Sequence, residues 1–230
     1  MDVRLLSAGA AQGLVESLRE TLRANVGAYI EGSFGAVGAL LERFRAGERC
    51  DAIILTASMI AGLELAGRVL QGSSAPLGRV RTGVAVRDAD PLPAIADRAQ
   101  LAATLGAAST LYVPDIVRST AGIHVAQVLK RLGIYDDVAP RLSLHPNGAT
   151  AMRALAEADA PGGVGCTQIT EIRYTRGVTL VGALPAEFEL ATVYSVAVCT
   201  EARDIELARN FAGLLSGPAT QALRAKAGFE

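Results

Sequence analysis

Ser109-Thr110-Leu111-Tyr112-Val113-Pro114-Asp115-Ile116-Val117-Arg118-Ser119-Thr120-Ala121-Gly122-Ile123-His124 is the stretch whose reading decides the fold. Its first half is a short β-rich run that Pro114 stops, because proline cannot donate to a sheet ladder. From Ile123 onward, Val125, Ala126, Val128, Leu129 and Leu132 fall at helical spacing, and Gly133 stands where a C-terminal cap belongs. The spacing predicts a strand, a short loop and a helix. The loop offers the Ser119 and Thr120 hydroxyls, the Arg118 guanidinium and the free N–H groups of a first helical turn. Such an end carries positive partial charge and unpaired donors. Either its own serine caps it, or a small anion does.

Recurrence turns the reading toward a site. Val3-Arg4-Leu5-Leu6 is a short strand that runs into Ser7-Ala8-Gly9-Ala10, and a helix from Gln12 to about Asn25 buries Leu14, Val15, Leu18 and Leu22. Ala28-Tyr29-Ile30-Glu31 is a second strand, entering Gly32-Ser33-Phe34-Gly35 before a helix with Val37, Leu40, Leu41 and Phe44 inside. Asp51 to Leu55 is almost wholly apolar, as central parallel strands are, and ends at Thr56-Ala57-Ser58 before a third helix. Three strand–hydroxyl–helix units imply right-handed crossovers and a parallel sheet with the hydroxyls at its C-terminal edge, where open α/β sheets bind ligands.

The pattern resumes after residue 80. Val80 to Val86 reads as a strand, Asp97 to Leu105 as a helix, and Tyr135 to Pro140 as a loop. Leu142-Ser143-Leu144-His145 is a strand, and the Pro146-Asn147-Gly148 turn precedes a helix from Ala149. Gly163 to Gln168 is a glycine-thinned strand ending in the polar pair Thr167 and Gln168, and Thr192 to Val198 is a late apolar strand. The chain is expected to leave a first lobe near Thr82–Val86 and return near Ala191–Val198. That gives one lobe from residues 1–83 plus 192–230 and a second from 84–191. Two such crossings predict a hinge facing a cleft, with Gly83 supplying backbone freedom.

Composition narrows the classes. Apolar residues make up 50% and charged ones 20% of 230 residues, as in an ordinary globular protein. The formal net charge of -1 argues against a nucleic-acid groove, and no apolar run is long enough to insert in a membrane. Met1-Asp2-Val3-Arg4 leads directly into a strand. The chain as written is therefore expected in the cytoplasm, or in the periplasm where an export signal has been removed. Cys50, Cys166 and Cys199 lack the spacing of a zinc site or a disulfide framework, and no cofactor fingerprint occurs. Cys50 and Cys199 read as small core residues.

In these segments the chain resembles the type II periplasmic solute-binding proteins, nearest the molybdate-binding branch. The matching pieces are Leu6-Ser7-Ala8-Gly9-Ala10, Gly32-Ser33-Phe34-Gly35, Cys50-Asp51-Ala52-Ile53-Ile54-Leu55-Thr56-Ala57, Thr120-Ala121-Gly122 and Leu214-Leu215-Ser216-Gly217-Pro218. The resemblance implies a two-lobed α/β (Venus flytrap) architecture, each lobe a mostly parallel sheet flanked by helices. It also implies a small anionic ligand, oxyanion or di- or tricarboxylate, and an ABC transporter permease as partner if the protein is exported. Oxyanion-holding serines carry over to Ser7 and Ser33, next to Gly9 and Phe34. The tyrosine that molybdate binders place in the late strand-end loop is missing. Gly165-Cys166-Thr167-Gln168-Ile169-Thr170-Glu171 stands there, and with Thr192-Val193-Tyr194-Ser195 it resembles a subgroup near aconitate isomerase.

The candidate ligand set is completed by Arg118, Ser119 and Thr120 at the opening helix, Asn147 before the next, and Thr167 and Gln168. A bidentate guanidinium suits a polycarboxylate, while neutral donors suffice for a tetrahedral oxyanion. Glu171 would repel an anion and reads as helix-capping or hinge-facing. His124 and His145 are the only histidines. The alternative to a binder is an isomerase that shifts an allylic proton on a small tricarboxylate, and in it these two would move the proton.

Overall fold

Strand β1 (Asp2–Ala8) lies between β2 (Tyr29–Gly35) and β3 (Ala52–Thr56), parallel to both, in a computed structural model that describes residues 2–230. All five residues of β3 are buried, as its unbroken apolar sequence requires. A short 3-10 turn, Gly9–Ala11, follows β1. The single helix expected from Gln12 is divided into α1 (Gln12–Ser17) and α2 (Arg19–Val26) at Leu18, whose φ of -102° and ψ of -1° leave the helical path. The expected face survives the break, since Leu14, Val15, Leu18 and Leu22 are all buried. Each such side chain contributes about 2 kcal/mol. Helix α3 (Val37–Arg45) returns to β3, and α4 (Ala57–Leu65) follows it under a Thr56 cap. Strand β4 (Ala75–Arg87) is far longer than the seven residues its apolar run predicts.

The next elements are α5 (Arg98–Ala107), β5 (Leu111–Pro114), α6 (Thr120–Leu132), α7 (Tyr135–Val138), β6 (Leu142–His145), α8 (Gly148–Ala156), β7 (Val164–Gln168), α9 (Ile169–Tyr174) and β8 (Val178–Ala183). Helix α7 occupies the segment expected as a loop. β5 runs parallel to β6 and to β7, while β4 pairs antiparallel with β7 and β8. Leu101, Leu105, Val113, Val128 and Leu129 fill the core beneath them, with Phe188 fully buried. Gly133 ends α6 in the left-handed conformation at φ 76°, which a side chain would resist.

Strand β9 (Ala191–Val198) then pairs antiparallel with β3, and α10 (Ile205–Ser216) and α11 (Gln221–Ala227) close the chain. Buried Asp51, just ahead of β3, holds this junction. Its carboxylate accepts from Arg4 N at 2.8 Å and from Arg203 N and Nη2 at 2.8 Å each. Burial alone would raise that carboxyl, but these donors outweigh it and leave it below the usual range.

By internal contacts the chain forms two compact units, one from residues up to Val80 with Thr192–Glu230, the other Arg81–Ala191. The expectation for Gly83 is corrected. A Cβ there would stand 2.8 Å from Ile169 Cγ1 and 2.9 Å from the Gly182 carbonyl oxygen. Glycine is required for close approach, not for freedom of φ, so Gly83→Val would destabilise the fold.

Candidate ligand-binding site

In the second unit the parallel strands β5, β6 and β7 end on one edge, and α6, α8 and α9 begin there. At the mouth of α6, Asp115 Oδ1 accepts from the N–H groups of Val117 (2.7 Å) and Arg118 (3.0 Å), folding the loop into an Asx turn. Ser119 is the N-cap, accepting from Gly122 N at 3.4 Å, and Thr120 is the first helical residue. Gly122 lets the helix lie directly on the end of β5: a Cβ would be 2.2 Å from the Asp115 carbonyl oxygen. Arg118 is exposed.

The mouth of α8 is built differently. Asn147 caps it, accepting from Thr150 N at 2.9 Å. Behind the cap lies the carboxylate of Glu171, a residue only 5% exposed, which accepts from Gly148 N at 3.1 Å and from Thr167 Oγ1 at 2.6 Å. The backbone N–H groups of Ala149 and Gln168 also face it. Burial pushes this carboxyl above the usual glutamate range, and the four donors oppose the rise without cancelling it. A Cβ at position 148 would stand 1.9 Å from Glu171 Oε2 and 2.0 Å from Thr167 Oγ1, so Gly148 is there to admit the acid.

Beside that closed network sits an unsatisfied one. Gln168, at the end of β7, is 2% exposed, and neither its Oε1 nor its Nε2 has a hydrogen-bond partner. Thr82 is its cross-strand neighbour on β4, 1% exposed, with an equally unpartnered hydroxyl. Directly opposed residues share a face of the sheet, so the amide and the hydroxyl are directed to the same side. Thr170 Oγ1, two residues on, is unpartnered at 4% exposure. Buried polar groups normally find partners, and these three, on the paired strands β4 and β7 and in the first turn of α9, mark a candidate place for hydrogen bonds from a ligand. Thr82 and Thr170 are not among the candidates the sequence offers, although a threonine inside the apolar run Val80–Val86 is a visible signal.

In the first unit, Ala8 and Gly35 are paired at the ends of β1 and β2. The helical turns that follow, Gly9–Ala11 and α3, start without a side-chain cap. Ser7 is fully buried and donates to the Ala8 carbonyl at 3.0 Å. The strand–loop boundary expected before Gly32 lies later, because β2 continues through Ser33 and Phe34 to Gly35. Ser33 therefore sits within the strand, its hydroxyl accepting from Arg43 Nη1 at 3.0 Å, in a surface recess with Arg4, Glu31 and Glu48. Phe34 packs on the core. On this edge the groups free of capping side chains are backbone N–H.

The two histidines are not brought together by hydrogen bonds. His124 Nε2 donates to the Phe188 carbonyl at 2.7 Å, and burial lowers its pKa despite that acceptor. His145 Nε2 pairs with Ser143 Oγ at 2.9 Å, its ring stacks on Tyr112 at 6.1 Å, and burial lowers it too. Burial pushes the Cys166 thiol up to about 12, which removes it as a nucleophile. Among the described residues no group of three or more His, Cys, Asp or Glu side chains could hold a metal ion, and no helix is long and apolar enough to cross a membrane.

Residues 3–230 match the model of a family described as bacterial extracellular solute-binding protein. Among solved structures, the Azotobacter vinelandii periplasmic molybdate-binding protein superposes with a TM-score of 0.80 at 18% identity, over 99% of this chain and 98% of that one. The sulfate-binding protein SubI from Mycobacterium tuberculosis H37Rv does so with a TM-score of 0.75 at 19% identity, over 100% and 86%. In sequence, an aconitate isomerase from Pseudomonas sp is 26% identical over 175 residues, which is 74% of this chain and 63% of the relative's length.

Proposed function

Since the chain belongs to the bacterial extracellular solute-binding proteins, we propose that its solute is a small anion, either an oxyanion or a di- or tricarboxylate. The observation that carries this reading is the set of buried, unpartnered polar groups on Gln168, Thr82 and Thr170. Leaving such a group unpaired costs about 1–3 kcal/mol, a cost a bound ligand removes. Neutral amide and hydroxyl donors hold an anion by dipoles instead of a counter-charge. Molybdate and sulfate are the ligands named for the two structural relatives. An ABC transporter permease is the partner that fits a carrier of this family.

Calorimetric titration with molybdate, sulfate, phosphate, citrate and the aconitates tests the reading, and at least one should bind. Gln168→Leu should weaken that ligand roughly 10- to 100-fold, equivalent to about 1–3 kcal/mol, while leaving the unliganded fold as stable or more so. Silence across the panel rejects the proposal. So does a Gln168→Leu protein that binds normally.

The aconitate isomerase relative supports a second reading, allylic proton transfer on a tricarboxylate. His145 is then the better placed of the two: the Asp115 N–H bond to its carbonyl at 2.7 Å sets it beside the α6 mouth, and its Nε2 partner, the Ser143 hydroxyl, can give or take a proton, while His124 Nε2 donates to the Phe188 carbonyl. Proton NMR of cis-aconitate in heavy water decides it. Interconversion that His145→Gln abolishes favours the enzyme, and an unchanged spectrum over hours rejects it.

A further inference from the structure

Cys50 lies just ahead of β3 and Cys199 just after β9, at the same end of the antiparallel pairing of those strands, beyond the Ala52↔Val198 pair. Both residues are buried, and their sulfurs are 3.4 Å apart. The backbone around them is fixed: Cys199 N donates to the Asp51 carbonyl at 3.0 Å, and Asp51 is tied to Arg203 and Arg4. Sulfurs held this close on neighbouring chain segments need only a small side-chain adjustment to meet.

We infer that Cys50 and Cys199 form a disulfide when the chain folds in the presence of a small disulfide oxidant, and that this bond staples the two halves of the discontinuous first unit. The step balances as thiol–disulfide exchange. One cysteine loses its proton and attacks the S–S bond of oxidised glutathione, expelling one glutathione thiolate that takes up a proton. The second cysteine attacks the resulting mixed disulfide, forming the Cys50–Cys199 bond and releasing the second glutathione as thiol. The protein gives up two electrons and two protons, and the oxidant is reduced by the same amount.

Timing follows from burial. In the finished fold the two thiols hold each other and lie out of water, which keeps Cys199 protonated well above the usual thiol range. Access is through a small recess that both cysteines line, bounded by Phe44, Arg68 and Thr200, with the Arg68 guanidinium 5.0 Å from the centre of the Phe44 ring. The bond therefore forms during folding and is slow to form or break afterwards. It closes a loop across a sequence separation of 149 that contains the whole of Arg81–Ala191. Loops of that size lose the most unfolded-state entropy on cross-linking.

The inference is independent of the ligand, and its test uses the wild-type chain. The protein is refolded from denaturant in reduced or in oxidised glutathione, quenched with acid, and its thiols are counted under denaturing conditions. Of its three cysteines, all should titrate after reduced refolding and only Cys166 after oxidised refolding. The oxidised mass should be lower by two hydrogens, with one cross-linked peptide joining Cys50 to Cys199. The melting temperature should rise by roughly 5–15 °C and fall back with dithiothreitol. Cys50→Ala and Cys199→Ala should each melt at the same temperature in both buffers. Three free thiols after oxidised refolding overturn the inference, as does a bond involving Cys166 or a product carrying only glutathione.

Discussion

The mouths of α6 and α8 begin with the same chemistry and end differently. Each follows a parallel strand of the second unit, each has a polar N-cap (Ser119 or Asn147), and each has a glycine in its first turn where a Cβ would collide. At α6 the obstacle is the backbone of the strand end, Asp115 O at 2.2 Å. At α8 it is a carboxylate, Glu171 Oε2 at 1.9 Å. The chain has placed its own acid on the helix dipole of α8, where an external anion would otherwise be stabilised. A helix start is thus an anion site only after the protein's own groups have been counted. By that count α8 is occupied from within, and the unpartnered groups lie next door on Gln168 and Thr82.

The glycines give the largest expected effects. Gly122→Ala pits a methyl against backbone that cannot rotate away and should cost about 3 kcal/mol or more in urea unfolding, if the protein folds at all. Gly148→Ala should be comparably damaging, but its obstacle is a side chain. Adding Glu171→Ala to Gly148→Ala should recover part of the loss, whereas the same addition to Gly122→Ala should only deepen it. Equal responses would erase the distinction between the two mouths.

Next in size is Glu171→Leu, which strands the Thr167 hydroxyl and the N–H groups that face the acid and should cost about 3–5 kcal/mol. Glu171→Gln is milder and reports on charge. Burial raises this carboxyl, so the folded chain binds its proton more tightly than the unfolded chain does. Its contribution to stability is greatest below the unfolded glutamate pKa and is lost as pH rises through the folded value. Wild type should lose stability relative to Glu171→Gln across that window. Asp51 works in the opposite sense: its carboxyl is lowered, so its stabilisation is lost as pH falls through the folded value. Arg203→Ala should therefore flatten only the acid limb. Parallel pH profiles for wild type and Glu171→Gln would show that the acid is not held as described.

The smallest effects concern the caps. Ser119→Ala and Asn147→Ala should each lower stability by about 1 kcal/mol. If the proposed anion uses the mouth of α6, only Ser119→Ala should also weaken its titration. An equal loss of affinity in both would mean that Glu171 does not shield α8.

The alternation of strands and helices could be read from residues alone, because β3 is one apolar run and α6 keeps its 3.6-residue period to Gly133. Site geometry was harder to read. β2 continued through Ser33 because cross-strand pairing with β1, from Asp2↔Tyr29 to Ala8↔Gly35, outweighed the turn propensity of Gly32-Ser33. Glu171 was readable as a capping group, yet not as the cap of a different helix, since residues 148 and 171 meet only in the folded chain. Gly83 showed the same limit: a glycine invites a reading of flexibility, while its real reason, the Gly182 carbonyl at 2.9 Å from a Cβ, is tertiary.

The pairing of β9 with β3 has a consequence for how the protein is made. Thr56 leaves the ribosome long before Ala191, and at about 5–20 residues per second the wait is roughly 7–30 s. During that interval the apolar Ala52–Thr56 segment has no β9 partner on one flank, and Arg81–Ala191 is the chain that emerges, complete just as β9 begins to appear. The inserted unit can therefore complete its fold first. An exposed apolar strand waiting for its neighbour is a ready template for pairing with another chain, so this interval is the aggregation-prone stage of synthesis. The order of elements thus sets a maturation schedule as well as an architecture.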